Sequence, residues 1–137
     1  MTYMVERLAE LQKHLRHLRE LQPRVQSAAD LERDLSLHND VLFSLLTIAQ
    51  LLVDLAGELC SRHGLRFNDY TQAVRNLSSI PEFPPDLVER LVPVPGFRNV
   101  LVHEYISFDL ERAVIALRAI DPIEQFVDIV ARIEATG

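Results

Sequence analysis

The chain has 137 residues, of which 48% are hydrophobic and 25% are charged, and its formal net charge is −6. This composition is typical of one folded domain, residues 1–137, and excludes a disordered chain. The negative charge argues against a broad, non-specific nucleic-acid surface, although a local basic cleft remains possible. Cys60 is the only cysteine, so neither an intramolecular disulfide nor a cysteine-based zinc site can form.

Helical periodicity dominates the chain, and no strand-like alternation is sustained anywhere in it. The first helix is predicted from Thr2 to Gln22, before Pro23, with leucines spaced three and four residues apart along one seam. Residues 1–21 carry charges throughout, which argues against a signal peptide.

The second helix is predicted to be long and central. It is expected to begin at Ser27, which starts a capping-box pattern with Asp30, and to reach Arg62, just before the helix-ending Gly64. Residues 41–60 are apolar on nearly every side, so we expect more than the helix's own chain to cover it.

Two carboxylates, Asp54 and Glu58, interrupt this apolar run. A membrane-spanning helix rarely tolerates two carboxylates in its apolar segment. We therefore predict a buried helix, no membrane association and a cytoplasmic protein.

The next elements are short. Asn68 is expected to cap a helix from Asp69 to Ser78. The proline-rich residues 80–85 are expected to form a loop, and a fourth helix is predicted to start at Pro85 or Asp86.

Pro93 and Pro95 are predicted to break or kink the fourth helix, because proline lacks an amide donor and disfavours helix in the residue before it. The helix is expected to restart after Gly96 and to run to about Ile106. Asp109 is predicted to cap a fifth helix, and Asp121-Pro122 to provide the N-cap and first position of a sixth. The sequence thus predicts an all-α bundle of five to six helices.

The segment from Gly96 to Tyr105 sets three chemically distinct polar residues among aliphatic ones. Arg98 is a permanently charged, forked donor that matches phosphate oxygens, and His103 can take or give a proton near neutral pH. Tyr105 has a hydroxyl that can bond or accept a modifying group. On one helix, Arg98 and Tyr105 would share a stripe, and Asn99 and His103 a second stripe roughly a quarter to a third of a turn away.

Each residue of this segment also has an ordinary structural explanation. Arg98 could pair with a nearby carboxylate (Asp86, Glu89 or Glu104), His103 could be a core histidine, and Tyr105 a half-buried aromatic. The combination of the three at this spacing is what favours a functional site.

Asp54 is a candidate supporting residue, since a carboxylate is costly to bury unless it is paired or hydrogen-bonded. We expect it to meet a cation or donor, with Arg98 or His103 as candidates; a position facing solvent through a gap in the packing is the alternative. Four further arginines are candidates to line a cleft beside Arg98: Arg62, Arg66, Arg75 and Arg90.

The other histidines provide weak signals. His14 and His17 are three apart, a spacing that can hold a metal, but no third ligand is evident, so a solvated face is favoured and no metal is predicted. His38 and His63 flank the long helix and are expected to be surface or capping residues.

The pattern Arg98-Asn99-x-x-x-His103-x-Tyr105 resembles the signature of the HEPN superfamily of all-helical nucleases, in particular its HepT toxin branch. The long apolar helix ending at a glycine, the short third helix and the Asp109-Leu110-Glu111 start of the next helix extend the resemblance over most of the chain. It implies a HEPN-type bundle that forms a homodimer, with the signatures of two subunits facing one cleft.

The resemblance also implies a function: the toxin of a type VII-like toxin–antitoxin system, acting as a metal-independent endoribonuclease without a cofactor. By the motif, Arg98 would hold the scissile phosphate of RNA and His103 would transfer protons, with Asn99 orienting His103 or donating to phosphate. A 2′-hydroxyl attack would yield a cyclic phosphate and leave DNA uncut. The implied partner is a minimal nucleotidyltransferase (MntA-like) that neutralises the toxin by attaching AMP to Tyr105.

Two other kinds of function stay open. The chain could be a non-catalytic helical dimer that binds a nucleotide or only the partner enzyme, which predicts binding without RNA turnover. It could instead be a structural adaptor in which Arg98 and His103 form a core salt-bridge network, so that replacing His103 would destabilise the fold.

Overall fold

The computed structural model describes residues 2–136, and the two ends of the predicted domain, Met1 and Gly137, lie outside that range. Within it the structure is all-helical, as predicted, and has no strand. The α-helices, in chain order, are α1 (Thr2–Leu21), α2 (Ala28–Arg33), α3 (Leu35–Arg62), α4 (Tyr70–Asn76), α5 (Pro85–Leu91), α6 (Val94–His103), α7 (Leu110–Arg118) and α8 (Asp121–Thr136). Single turns of 3-10 helix follow α1 (Gln22–Arg24) and α4 (Leu77–Ser79).

The central helix is α3, as predicted, and α1, α2, α4, α6 and α7 all pack against it. The leucine seam of α1 lies in this interface, where Leu11 and Leu18 are fully buried. At the other side of the bundle α8 contacts α1 and α5, and its Phe126 ring packs 5.7 Å from that of Phe83. Burial of these apolar faces provides the main stabilisation of the bundle.

The sequence predicted that a second chain helps to cover α3, and this stays a prediction. Within residues 2–136, α3 is the one helix long and apolar enough to cross a membrane, yet 56% of its most apolar 18-residue window is buried inside this fold. Its large apolar side chains that stay exposed are Leu35 and Phe43, at 72% and 57% of their area. This chain therefore covers most of α3 by itself.

Several predicted helix ends are confirmed. Asp30 accepts hydrogen bonds from the backbone amides of Gln26 and Ser27, as a capping box requires. Gly64 adopts a φ of 68°, the left-handed conformation that glycine permits after a helix. Asp109 caps α7 by accepting from the amide of Glu111, and α8 begins at Asp121, one residue earlier than predicted.

The second helix is not continuous from Ser27 to Arg62, as the sequence had suggested. Asp34 is extended, with φ −130° and ψ 101°, and its carboxylate accepts from the amide of Leu37 at 3.1 Å. The chain thus ends α2 and starts α3 at one residue, because the Asp34 side chain satisfies an amide that a continuous helix would satisfy with its backbone. Similarly, α4 is capped by Asp69, which accepts from Gln72, and not by Asn68.

The fourth predicted helix divides earlier than expected. The chain turns at Val92-Pro93, and α6 begins at Val94, with Pro95 in its first turn, where a missing amide donor costs nothing. It ends at His103 rather than near Ile106. The predicted five to six helices thus become eight α-helices within residues 2–136.

Shortening a core side chain of α3 should destabilise the protein strongly. Leu52 is fully buried, so Leu52→Ala should lower the free energy of unfolding by about 2–5 kcal/mol through lost burial and a cavity. Leu35→Ala removes the same atoms from an exposed position of the same helix and should change it by about 0.5 kcal/mol or less. Urea unfolding at equal protein concentration measures both, and equal losses would contradict the central role of α3.

Candidate functional site

Arg98 lies in the first half of α6, where its neighbours fix the helix to the bundle. Leu101 is fully buried, and the Phe97 ring meets that of Phe108 edge-on at 5.5 Å between centroids. The α6 helix contacts both α3 and α4. This anchoring leaves the half-buried Arg98 pointing along the surface of α3.

The Arg98 guanidinium bonds to an amide of α3 and not to a carboxylate. Its Nε donates to Gln50 Oε1 at 2.8 Å, and Gln50 Nε2 donates to Asp54 Oδ1 at 2.9 Å. The three side chains therefore form one hydrogen-bonded row. No carboxylate lies within ion-pair distance of Arg98 among residues 2–136, so the alternative of an ordinary surface salt bridge is not observed.

Asp54 meets a cation, but not one of the two expected. Its Oδ2 lies 3.7 Å from Arg7 Nε on α1, and the Arg7 guanidinium stacks on the Tyr3 ring at 3.6 Å from the centroid. The link from Asp54 to Arg98 runs through Gln50, and no contact with His103 is present in the described part of the chain. The expected direct pairing of Asp54 with Arg98 or His103 is therefore wrong, because an intervening glutamine fills the space between them.

Asn99 and His103 are four residues apart on α6 and both are exposed. Arg98 Nη1 donates to Asn99 Oδ1 at 2.7 Å, so the guanidinium reaches around the helix toward this exposed stripe. The side chain of His103, the last residue of α6, makes no hydrogen bond or ion pair within residues 2–136. The core salt-bridge network that a structural adaptor would require between Arg98 and His103 is thus not observed.

Tyr105 does not share a helical stripe with Arg98, because α6 ends two residues before it. It lies in the turn that follows, where the amide of Glu104 still donates to Val100 and that of Ser107 donates to Glu104. The ring is half-buried against the core, and this burial raises the pKa of its hydroxyl. The helix end thus places the tyrosine beside the site by a turn rather than by helical periodicity.

Tyr70, which sequence reasoning missed, also borders the site. It is the first residue of α4, and its ring lies 5.7 Å from the Arg98 guanidinium, with 38% of the residue exposed. Gln50 and Arg7 were missed as well. The available signal was the four-residue spacing of Gln50 and Asp54 on an otherwise apolar helix, which puts both on one face.

The four further arginines have different environments. Arg62 is paired with Glu58 at 3.3 Å and with Glu134 at 2.6 Å, so it ties α3 to α8 and is not a free cation of a cleft. Arg66, four residues before α4, and Arg75, within α4, are both exposed, and Tyr70 of the same helix contacts Arg98. Arg90 lines an apolar groove.

That groove has a volume of about 370 Å³ and is lined mainly by α3, α6 and α7, with single residues of α5 and α8. Its walls include Ile48, Val94 and Phe97, with Arg90 and Arg112 at the edge, and Ile115 on α7 is 66% exposed. The apolar surface therefore adjoins the helix that carries Arg98.

The remaining histidines have structural contacts. His14 Nδ1 lies 2.9 Å from Ser44 Oγ, and burial lowers the pKa of its ring, while His17 faces Asp40 at 3.5 Å. His38 bonds to Asn39, and His63 caps the end of α3 through Leu59 O at 2.9 Å. No group of three or more potential ligands for a metal occurs among the described residues.

The sequence matches the model of one protein family, described as "Ribonuclease HepT-like", over residues 11–130. The chain belongs to this family, and the resemblance inferred from the signature segment is confirmed. A comparison with curated proteins finds no significant match.

Solved structures of the same fold include three toxin–antitoxin complexes. One contains AMP-PNP (TM-score 0.80, 16% identity, covering 96% of this chain and 99% of the other). The second is the tri-AMPylated HEPN toxin of Shewanella oneidensis with an MNT antitoxin (TM-score 0.79, 17% identity, covering 96% of this chain and 98% of the other). The third is an MntA-HpeT pair carrying a tyrosine-to-alanine mutation (TM-score 0.81, 17% identity, covering 95% of this chain and 98% of the other). At these identities the likeness confirms the HEPN-type helical fold.

The buried environment of Tyr105 should be visible in an alkaline titration. Because burial favours the neutral phenol, Tyr105 should ionise at higher pH than an ordinary tyrosine, and the tyrosinate absorbance should show a late component. Tyr105→Phe should remove that component, whereas Tyr3→Phe, at a site 39% exposed, should keep it. A late component that survives in Tyr105→Phe would show that the half-buried position is wrong.

Proposed function

We propose that the chain is the toxin of a toxin–antitoxin pair and that it cleaves RNA with Arg98 and His103. Membership of the HepT-like ribonuclease family supports ribonuclease activity, and the similar structures are toxins bound to nucleotidyltransferase-type antitoxins. The proposal adds the residues, the chemistry and the mode of neutralisation.

The observation that carries the proposal is the state of the Arg98 guanidinium. Two of its five N–H donors are used, one by Gln50 and one by Asn99, so three remain to bind an anion. No carboxylate within residues 2–136 neutralises it. An arginine that is held by neutral amides, on the helix that also carries the exposed His103, is suited to a phosphate group.

The proposed reaction is attack by a ribose 2′-hydroxyl on the adjacent phosphorus. His103 takes the hydroxyl proton, the 2′-oxygen forms the new bond to phosphorus, and the bond to the 5′-oxygen breaks. Arg98 stabilises the negative charge that develops on the phosphate oxygens. The product ends are a 2′,3′-cyclic phosphate and a 5′-hydroxyl, and the leaving 5′-oxygen takes its proton from a protonated histidine or from water.

We further propose that the toxin is a homodimer. The apolar groove beside α6 and the exposed side chains of Val102, Ile106 and Ile115 give one surface that a second copy would cover. A two-fold pairing brings the same residues of both chains together. One His103 could then serve as base while the partner subunit's His103 donates the proton to the leaving oxygen.

Neutralisation is proposed to occur at Tyr105, through transfer of AMP by a small nucleotidyltransferase. The product adds bulk and a negative phosphodiester two residues from His103, where a substrate phosphate would bind. Like charges at that position disfavour RNA binding.

Replacing His103 should remove cleavage without unfolding the protein, because its side chain is exposed and makes no bond in the described structure. His103→Ala should cleave RNA roughly 10²- to 10⁴-fold more slowly. Single-turnover assays on labelled RNA, with end-group analysis for the cyclic phosphate and a DNA control, measure the effect.

His38→Ala is the matched control, since it removes a histidine near the start of α3 whose side-chain hydrogen bond within residues 2–136 is to the neighbouring Asn39. This variant should keep the cleavage activity of the wild-type protein. Unchanged cleavage by His103→Ala would rule out the assigned role. Tight RNA binding without cleavage by the wild-type protein would favour the non-catalytic dimer.

Expression beside a cognate nucleotidyltransferase should add AMP to Tyr105. Intact mass spectrometry should show one or more AMP units, peptide mapping should place them on Tyr105, and cleavage should be lost in proportion. Tyr105→Phe should gain no mass and stay active in the presence of the enzyme, whereas Tyr3→Phe should be modified normally. AMP mapped to another residue would contradict the assignment, and native mass of the same samples reports the number of subunits.

A further inference from the structure

Arg98 approaches the site from α6, but the group that orients it belongs to α3. Gln50 Oε1 accepts the Nε–H of Arg98 at 2.8 Å, across 48 residues of sequence. The Nε–H is the one donor of a guanidinium fixed to the aliphatic part of the side chain, so bonding it restricts rotation of the whole fork. The outer nitrogens are then directed away from Gln50, toward Asn99 and the exposed stripe.

Asp54 determines which way the Gln50 amide faces. A carboxylate only accepts hydrogen bonds, so Gln50 must turn its NH₂ group toward Asp54, with Nε2 to Oδ1 at 2.9 Å. Its carbonyl oxygen therefore faces the opposite way, toward Arg98 Nε. The amide cannot flip without placing two acceptors together on one side and two donors on the other.

Arg7 in turn holds Asp54. The two side chains are 34% and 22% exposed, and their Nε–Oδ2 separation of 3.7 Å is an ion-pair distance. Arg7 Nε is buried and has no hydrogen-bond partner among residues 2–136, so its charge is matched by Asp54 alone, with the Tyr3 ring stacked beneath the guanidinium. Through Arg7, α1 thus helps to hold the hydrogen-bonded row of Asp54, Gln50 and Arg98 in place.

We propose that Gln50 is a positioning residue for Arg98, fixed in the required orientation by the Asp54–Arg7 pair. Because Gln50 is neutral, it orients the arginine without neutralising the positive charge that the phosphate needs. A carboxylate at position 50 would hold Arg98 equally well but would compete with the phosphate and repel Asp54. The role in catalysis rests on the proposed ribonuclease function, whereas the role in ordering Arg98 does not.

The test uses Gln50→Met, which keeps the length of the side chain and removes both of its hydrogen-bonding groups. Gln125→Met, on an exposed position of α8, is the matched control. The first measurement is the exchange with water of the Arg98 Nε–H in ¹⁵N NMR spectra, assigned by its disappearance in Arg98→Lys. The second is kcat and KM for RNA cleavage, and thermal unfolding verifies that each variant is folded.

In the wild-type protein the Arg98 Nε–H should exchange slowly with water. Gln50→Met should speed this exchange at least about tenfold, whereas Gln125→Met should leave it unchanged. The kcat of Gln50→Met should fall by roughly tenfold or more, with a smaller change in KM, because the misplaced charge matters most in the transition state. Gln50→Glu should keep slow exchange and raise KM.

Two results would overturn the proposal. One is Nε–H exchange that is equally fast in the wild-type protein and in Gln50→Met, and the other is a kcat that Gln50→Met leaves unchanged. If the wild-type protein cleaves no RNA, the proposed ribonuclease function is wrong. The exchange measurement then still decides whether Gln50 orders Arg98.

Discussion

The structure depends on the burial of one apolar helix, α3, by the helices around it. Such a helix tolerates few polar groups, and each of them must find a partner, since an unpaired buried polar group costs about 1–3 kcal/mol. Ser44, which is only 2% exposed, contacts His14 of α1, and Gln50 bonds to Arg98 of α6. The polar exceptions on α3 are therefore the points where neighbouring helices are fixed in register, and one of those points holds the candidate catalytic arginine.

The sequence was sufficient to predict the fold class, the central helix and those helix ends that are set by local signals, such as Gly64 and Asp109. It was insufficient where a boundary depends on a single polar side chain inside a helical pattern. Asp34 ends one helix and begins the next in a charged stretch without glycine or proline, so periodicity continues across the break. The end of α6 at His103 also lacks a nearby glycine or proline, so the sequence showed no break before Tyr105, which lies in a turn.

The signature residues of the candidate site could be singled out from the sequence, but their partners and their geometry could not. The segment around Arg98 and His103 lies close together in sequence, so its residue types were enough to indicate phosphate chemistry. The partners of Arg98 come from other helices, and the choice between Gln50 and Asp54 depends on the rotamers of long side chains and on how α3 faces α6. Contacts between residues 48 positions apart are determined by tertiary packing, which local patterns do not encode.

The charge of the site is compatible with the proposed RNA substrate, although the chain as a whole is acidic. The row of Arg7, Asp54, Gln50 and Arg98 contains two guanidinium groups and one carboxylate, and it is therefore locally positive although the chain carries −6. Exposed charges farther than about 8 Å away are largely screened at physiological salt, whereas half-buried groups are screened much less. A phosphate close to Arg98 thus experiences the nearby guanidinium groups more than the distant carboxylates. The neutral amide between Asp54 and Arg98 is what keeps that positive charge available.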